Sequence, residues 1–292
     1  MKFAAMLLAL VWAFPVLAQE TDPRVWTVKD VIQQEDITGA AFSPDGKSLV
    51  WVKFRPSAKK DRFVTNLWMT RLGEAKPREL QLTRSEESDR SPMFSADGQT
   101  LYFLSSREGG KSLWALPLSG GEPYVLDSFP NGIASVRKIN DSLIYYESEE
   151  GDLLYETEME KKKDDVEVVE DTVHFKPSRV FAYNLNTKTS TRLTPSTRYP
   201  IGEFAGSEDG KWLITSHIRS PHYGVDGLPK PVYYLWNLSD GTVREVIKGM
   251  QQPSRFEFAG DNSGFYFTAV QSSNPEWDGA GIDLLYFFDL KE

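Results

Sequence analysis

The chain has 292 residues, of which 40% are hydrophobic and 13% aromatic, enough for one large core or two ordinary ones. Its net charge of −9 argues against nucleic acid or an anionic membrane surface as the main partner. Because cysteine is absent, disulfides and thiolate metal sites are excluded.

Residues 1–18 have the pattern of a secretory signal peptide. A positive start, Met1-Lys2, precedes an apolar run that ends at Ala18, and polar Gln19-Glu20 follow. A membrane anchor is the alternative, but the run is shorter than the ~20 residues that span a bilayer. We therefore expect cleavage after Ala18, export to the periplasm or the medium, and no membrane span in the mature protein.

Residues 19–36 are predicted to be a lead-in with one short helix. Thr27 can cap a helix in which Val28, Val31 and Ile32 share one face. From residue 37 onward the composition changes to runs of valine, threonine and aromatic residues, which favours strands.

A polar turn between two strand-like runs recurs along residues 37–292. In its clearest form, Ser43-Pro44-Asp45-Gly46, proline sets φ, aspartate can bond the backbone and glycine can adopt positive φ. Four more copies follow: Ser95-Ala96-Asp97-Gly98, Ile139-Asn140, Ser207-Glu208-Asp209-Gly210 and Ala259-Gly260-Asp261-Asn262. We expect Asn140 and Asn262 to replace the glycine, because asparagine tolerates positive φ better than most residues.

A strand that ends in leucine is the second recurring pattern. Its five copies end at Leu72, Leu118, Leu185, Leu238 and Leu290, and each of the first four is followed by another short strand. Each period therefore contains four strands, which is typical of β-propeller blades. A β-sandwich with accidental self-similarity is the alternative.

The predicted fold is all-β, a β-propeller with four complete blades and a partial fifth. The predicted blades span residues 37–83, 89–127, 133–194, 199–248 and 254–292. Within the third blade, the segment 147–171 contains twelve acidic residues and is predicted to be a solvated insertion, with a channel flap or a cation-binding loop as alternatives. Because the fifth blade lacks a fourth strand, we expect the sequence to be cut short.

No catalytic, cofactor-binding or metal-binding residue is predicted. The hydrolase pattern G-x-S-x-G is absent, since Gly206-Ser207-Glu208-Asp209-Gly210 has its serine one place early. The segments Gly46-Lys47-Ser48 and Gly110-Lys111-Ser112 end like phosphate loops but lack the first glycine of that motif. The remaining candidates for metal binding are three histidines without metal-ligand spacing: His174, His217 and His222.

Two features could serve either packing or binding. The segment 220–229 is a long loop between two strands of the fourth blade, and such loops can line a substrate opening. Five tryptophans at repeat positions are predicted to pack between blades: Trp51, Trp68, Trp114, Trp212 and Trp236.

Three stretches resemble the N-terminal propeller of the prolyl oligopeptidase family of serine peptidases, in its acylaminoacyl-peptidase or dipeptidyl-peptidase branch. They are residues 27–47, which include Phe42-Ser43-Pro44-Asp45-Gly46-Lys47; residues 105–114, with Ser105-Ser106-Arg107 before Leu113-Trp114; and residues 162–181, which end in Arg179-Val180-Phe181. The blade motifs alone are shared with exported propellers of the TolB type, which bind proteins. The third stretch favours the peptidases, and the resemblance covers roughly residues 25–292.

The resemblance implies a propeller that caps the active site of a C-terminal α/β-hydrolase domain and admits only short peptides. In that family the serine, aspartate and histidine of the triad lie in the hydrolase domain, and no position of this sequence matches its motifs. We therefore expect a gating domain of an exported serine peptidase, inactive by itself and without a cofactor. The alternative function is a non-catalytic, TolB-like scaffold that binds proteins.

Overall fold

The computed structural model describes residues 26–110, 112–149, 178–195, 200–220, 223, 227–272, 274 and 281–291. The chain divides into two units, Met1–Gln34 and Glu35–Glu292. In the first unit, helix α1 (Val28–Ile32) begins after Thr27, as predicted. The Thr27 hydroxyl accepts from the Asp30 amide at 3.2 Å, and the Asp30 carboxylate accepts from the Thr27 amide at 2.9 Å, which is a capping box.

The second unit is a β-propeller of five blades, and the fold prediction is confirmed. Every blade is an antiparallel sheet in which strands pair in chain order; the first four blades have four strands, and three strands are described in the fifth. The bounds in blades one to three are β1 (Asp36–Phe42), β2 (Ser48–Ser57), β3 (Arg62–Arg71), β4 (Glu79–Gln81); β5 (Asp89–Phe94), β6 (Thr100–Ser105), β7 (Ser112–Pro117), β8 (Tyr124–Ser128); β9 (Ser135–Lys138), β10 (Leu143–Glu149), β11 (Ser178–Asn184), β12 (Thr189–Arg192). Blades four and five contain β13 (Ile201–Gly206), β14 (Trp212–His217), β15 (Val232–Asn237), β16 (Val243–Val246); β17 (Gln251–Phe258), β18 (Gly264–Gln271), β19 (Ile282–Asp289).

The turn between the first two strands repeats one hydrogen-bond pattern. In blade one the Ser43 hydroxyl donates to Asp45 Oδ1 at 2.6 Å and accepts from the Ser48 amide, while Gly46 has φ of 68°. The same bonds occur at Ser95 and Asp97 and at Ser207 and Asp209. In these three blades the polar turn therefore closes the hairpin by side chains as well as by the backbone.

The two asparagine turns differ from each other. Asn262 has φ of 54°, which confirms that it replaces the glycine. The prediction for Asn140 was wrong, because Asn140 is absent from the described residues with positive φ. Its Oδ1 instead accepts from the Ser142 amide at 3.1 Å, the bond that Asp45 accepts from Lys47. Asn140 therefore occupies the aspartate position of a shorter turn.

The core lies in four layers between successive blades. Alternating strand residues point to opposite faces, so each blade contributes one set to the layer before it and another to the layer after it. The layers between blades one and two, two and three, three and four, and four and five are centred on the buried residues Leu101, Ile144, Leu213 and Phe265, each 0% exposed.

Three of the five predicted tryptophans lie in these layers: Trp114, Trp212 and Trp236. Trp51 and Trp68 behave differently. Val50 and Val52 face blade two, so strand alternation places Trp51 on the opposite face, where it stacks on Trp68 with ring centroids 5.7 Å apart.

The segment 147–171 lies outside the described residues beyond Glu149, and the prediction of a solvated insertion remains a prediction.

Candidate functional site

The first strands of blades one, two, three and five contribute to the lining of a cavity of about 1020 Å³, which we name the channel cavity. Its walls are residues 38–42 of β1, Ser88 and residues 90–93 around β5, residues 134–138 around β9, and Glu257 of β17, together with Val52 of β2 and Thr65 of β3. Propeller channels form in this way because the first strand of each sheet lies nearest the common axis. The channel cavity is therefore the natural candidate for a binding site.

The strands that line the channel are irregular. The pairing register shifts between Ile37 and Gly39 in β1, between Arg90 and Met93 in β5, and twice in β17. These are β-bulges, which redirect side chains and release backbone groups from the ladder. Ser91 in β5 has φ of 54° and Arg255 in β17 has φ of 58°, a region that costs free energy for residues other than glycine.

Arg90 fastens the wall of blade two to that of blade three. Its Nη1 donates to the Ala134 carbonyl at 3.0 Å and its Nη2 to the Ile133 carbonyl at 2.9 Å. Burial lowers the pKa of Arg90 from its ordinary value of 12.5. The side chain nevertheless stays protonated at neutral pH, because an arginine pKa is far above 7. One cation thus satisfies two carbonyls at the channel wall.

Glu203 performs the corresponding task between blades four and five. Its Oε2 accepts from the Arg255 amide at 3.1 Å and its Oε1 from the Phe256 amide at 3.2 Å. Both amides belong to the irregular part of β17, where the ladder does not pair them with β18. The carboxylate therefore replaces missing strand hydrogen bonds and holds the bulge in place.

The channel cavity suits binding better than catalysis. Three cationic side chains line it, Arg90, Arg137 and Lys138, together with one carboxylate, Glu257. Hydroxyl groups of serine and threonine complete the polar part of the wall, and among the described residues that line it there is no histidine. This arrangement can hold peptide carbonyls or an anionic group, whereas activation of a serine would require a base beside it.

A second cavity of about 850 Å³ lies at the outer edge of blade one. It is lined by Met69, Arg71 and residues 74–80, which join β3 to β4. Its position at a strand-to-strand connection, away from the channel, makes it a weaker candidate.

The structure places the serines of the rejected motifs in blade turns and strands. Ser207 is fully buried; its hydroxyl donates to Asp209 Oδ1 at 2.7 Å and accepts from the Trp212 amide at 2.9 Å. Ser112 begins β7, and its hydroxyl lies 3.2 Å from that of Ser128. Both hydroxyls therefore make hydrogen bonds within their own blades. Lys111 lies outside the described residues.

His217 is a buried packing residue. Its Nε2 lies 2.9 Å from the Thr215 hydroxyl, which also accepts from Trp236 Nε1 at 2.8 Å. The imidazole meets the Tyr234 ring edge to face, with centroids 5.2 Å apart. Within the described ranges, no group of three or more histidine, aspartate or glutamate side chains could hold a metal ion. His174 and His222 lie outside those ranges, as does most of the loop 220–229.

Sequence reasoning missed the bulges and the two residues that fasten them. A signal was present, because Pro92 and Pro253 interrupt β5 and β17, and proline in a strand favours a bulge or an edge. Arg90 and Glu203 carry no such signal, since their partners are backbone groups 43 and 53 residues away in the sequence.

Five blades around a central channel define a β-propeller, the class that the sequence predicted. No family model matches the chain. One curated relative, an uncharacterized peptidase of Bacillus subtilis, is 28% identical over 207 residues, which are 65% of this chain. The chain spans only about a third of that relative's length, because the match covers 31% of it.

Solved structures with the same fold have varied functions. An acylaminoacyl peptidase of Pyrococcus horikoshii is 13% identical at a TM-score of 0.57, over 90% of this chain and 40% of its own. A TolB protein of Agrobacterium tumefaciens is 13% identical at a TM-score of 0.52, and the match covers 88% of this chain and 78% of that protein. An oligogalacturonate lyase in complex with manganese is 15% identical at a TM-score of 0.56, and the match covers 89% of this chain and 70% of that protein. The predicted resemblance to the propellers of the prolyl oligopeptidase family is thus confirmed for the fold.

In the part of the chain that the structure describes, every helix is too short or too polar to cross a bilayer.

Proposed function

We propose that this chain is the substrate-filtering propeller of an exported serine peptidase that hydrolyses short peptides. The observation that carries the proposal is the curated peptidase relative, which matches along two thirds of the chain and is about three times longer than the match. A propeller can supply the filter, whereas the Ser-Asp-His triad would be supplied by an α/β-hydrolase domain outside these residues.

The channel cavity supports a filtering role. Its walls are held by Arg90 and Glu203, which bond to the backbone of neighbouring blades and resist widening of the channel. A rigid polar channel admits extended peptides and excludes folded proteins, so specificity would come from size and charge. Export is proposed on the apolar leader alone, and short peptides are proposed as the substrates.

A scaffold that binds proteins is the second candidate. The TolB structure favours it, because the match covers 78% of that chain, against 40% of the acylaminoacyl peptidase. The similarity to an oligogalacturonate lyase is a reminder that one fold supports several functions. The two candidates differ in one respect that can be measured, the presence of peptidase activity in the complete gene product.

The test uses the complete protein encoded by the gene that contains these 292 residues. We expect it to hydrolyse chromogenic peptides of a few residues, to leave a folded protein substrate intact, and to lose activity on treatment with a serine-directed phosphonate. Arg137→Glu, in the channel wall, should change the KM ratio between anionic and cationic peptides, because Arg137 is exposed there. Lys47→Glu carries the same charge change at an exposed blade turn and should leave the ratio unaltered. A complete protein without phosphonate-sensitive activity would refute the peptidase and favour the scaffold.

A further inference from the structure

The cavity at the outer edge of blade one, which we name the edge pocket, is lined by Met69, Arg71 and residues 74–80. Alternate residues of a strand share one face, so Arg71 lies on the same face of β3 as Met69, which packs toward blade two. Leu80 lies opposite Met69 in the ladder and is 52% exposed. The edge pocket therefore has an apolar floor on the side of blade one that faces blade two, and this floor is only partly covered.

Two arginines face each other at the rim of the edge pocket. The ladder pairs Met69 with Leu80, and two further steps along it place Arg71 opposite Arg78. Cβ atoms at facing positions lie about 4.5–5.5 Å apart, and like charges placed in this way destabilise a sheet. Within the described part of the chain, neither guanidinium forms an ion pair. Two uncompensated cations in this arrangement favour the binding of an anion between them.

Blades three and four have neutral residues at the place of the two arginines. The corresponding pair is Asn184 and Thr189 in blade three and Asn237 and Thr242 in blade four. Each asparagine closes its turn, because its Oδ1 accepts from a backbone amide two residues ahead, at 2.9 Å in blade three and 3.0 Å in blade four. The pair is joined by four residues in those blades and by six, residues 72–77, in blade one. The arginine pair and the longer connection thus occur together, and part of that connection forms the wall of the edge pocket.

The remaining polar groups of the edge pocket suit a peptide. Lys76 adds a third cation, while Glu74 and Glu79 supply carboxylate acceptors. A peptide has N–H groups to donate to those acceptors, whereas a fatty acid would bring its carboxylate to two others without a donor for them. β4 is also the outer strand of its sheet, so backbone groups on its free edge can pair with an extended chain.

We propose that the edge pocket binds the carboxyl-terminal residue of a peptide whose last side chain is apolar. The terminal carboxylate lies between the guanidinium groups of Arg71 and Arg78, and the apolar side chain packs on Met69 and Leu80. The edge pocket is separate from the channel cavity, and its occupation requires no peptidase activity. This inference therefore does not rest on the proposed function.

Fluorescence anisotropy of a labelled peptide tests the edge pocket in the complete gene product. The probe is the peptide Ala-Val-Leu with fluorescein at its amino end, and the protein is first treated with a serine-directed phosphonate so that hydrolysis does not consume the probe. Arg71→Ala and Arg78→Ala should each raise Kd about tenfold or more, because each removes a hydrogen bond between charged groups. Both arginines are exposed, so Tm of the peptide-free protein should stay close to that of the unaltered protein. Arg244→Ala, at an exposed arginine on the outer strand of blade four, is the matched control and should leave Kd unchanged.

Changes in the peptide test the two halves of the proposed contact. The same peptide ending in a carboxamide should bind about tenfold or more weakly, and its Kd should be insensitive to Arg78→Ala. Replacement of the last leucine of the peptide by serine should also raise Kd, because apolar contact with the floor is lost.

Four results would overturn the proposal. The first is the absence of saturable binding, and the second is equal affinity for the acid and the amide. The third is a Kd that both pocket variants leave unchanged while Arg137→Glu raises it, since that would place the peptide in the channel cavity. The fourth is displacement of the probe by octanoate as readily as by the unlabelled peptide, since that would assign the edge pocket to an acyl chain.

Discussion

Gly206 offers a direct test of the packing between blades three and four. A Cβ added at this position would come within 2.5 Å and 2.7 Å of Tyr145 ring carbons and within 2.8 Å of the Ile139 side chain. Tyr145 is 1% exposed, and its hydroxyl donates to the Gly210 carbonyl at 3.3 Å, so the ring has little freedom to withdraw. Overpacking of this kind costs about 1–3 kcal/mol. We expect Gly206→Ala to lower the free energy of unfolding by about 2 kcal/mol and Tm by about 4–8 °C.

Gly39→Ala is the matched control, because Gly39 also lies in the first strand of a blade. A Cβ there would meet Val52 at 3.6 Å, an ordinary contact. Urea unfolding followed by tryptophan fluorescence should therefore show Gly39→Ala within about 1 kcal/mol of the unaltered chain. A double variant that also shortens Tyr145 to leucine should recover part of the loss of Gly206→Ala. Equal stability of the two alanine variants would refute the steric argument.

Three further predictions concern charged and titrating groups. Arg107→Ala should lower the free energy of unfolding by about 3–5 kcal/mol in urea titrations, because Arg107 Nη2 lies 2.9 Å from Oδ2 of Asp89, whose side chain is 0% exposed. Burial raises the pKa of Tyr145 to about 12, so as the pH rises this tyrosine ionises first in the unfolded chain. The free energy of unfolding should therefore fall between pH 10 and 12. Tyr145→Phe should remove that part of the decline in alkaline unfolding curves. The Ser95 hydroxyl and the Gln99 amide donate to Asp97 and lower the pKa of its carboxyl below 3.8. The Asp97 carboxylate therefore stabilises the fold above pH 3.8, and this contribution is lost as the pH falls through the lowered pKa. In acid titrations, the Ser95→Ala variant should begin to unfold at a higher pH than the unaltered chain.

The blades could be predicted because their signals are local. A turn such as Ser43-Pro44-Asp45-Gly46 carries its own hydrogen-bond partners within five residues, and the structure forms those bonds at Ser95 and Ser207 too. The same local logic explains the error at Asn140. The repeat pattern predicts Asn140 at the glycine position, whereas the shorter turn of blade three places its side chain where Asp45 stands in blade one.

The channel wall could not be predicted in the same way. The bulges at Ser91 and Arg255 depend on how five strand edges fit around one axis, and neither residue type favours positive φ. Their stabilising partners come from other blades, as the bonds of Arg90 to Ile133 and of Glu203 to Phe256 demonstrate. Such contacts follow from the arrangement of the blades and leave no periodic trace in the sequence.

The repeat pattern determines which side chains lie on each face of a blade, but neighbouring blades determine whether those side chains are buried. Leu235 of β15 and Phe287 of β19 occupy equivalent positions in the third strands of blades four and five, and their sequence contexts predict the same buried role. Leu235 is 1% exposed and Phe287 is 45% exposed, because blade five covers the first and no blade of the described chain covers the second. The repeat pattern therefore predicts which side chains form the two faces of a blade, whereas the burial of each face depends on whether a neighbouring element covers it.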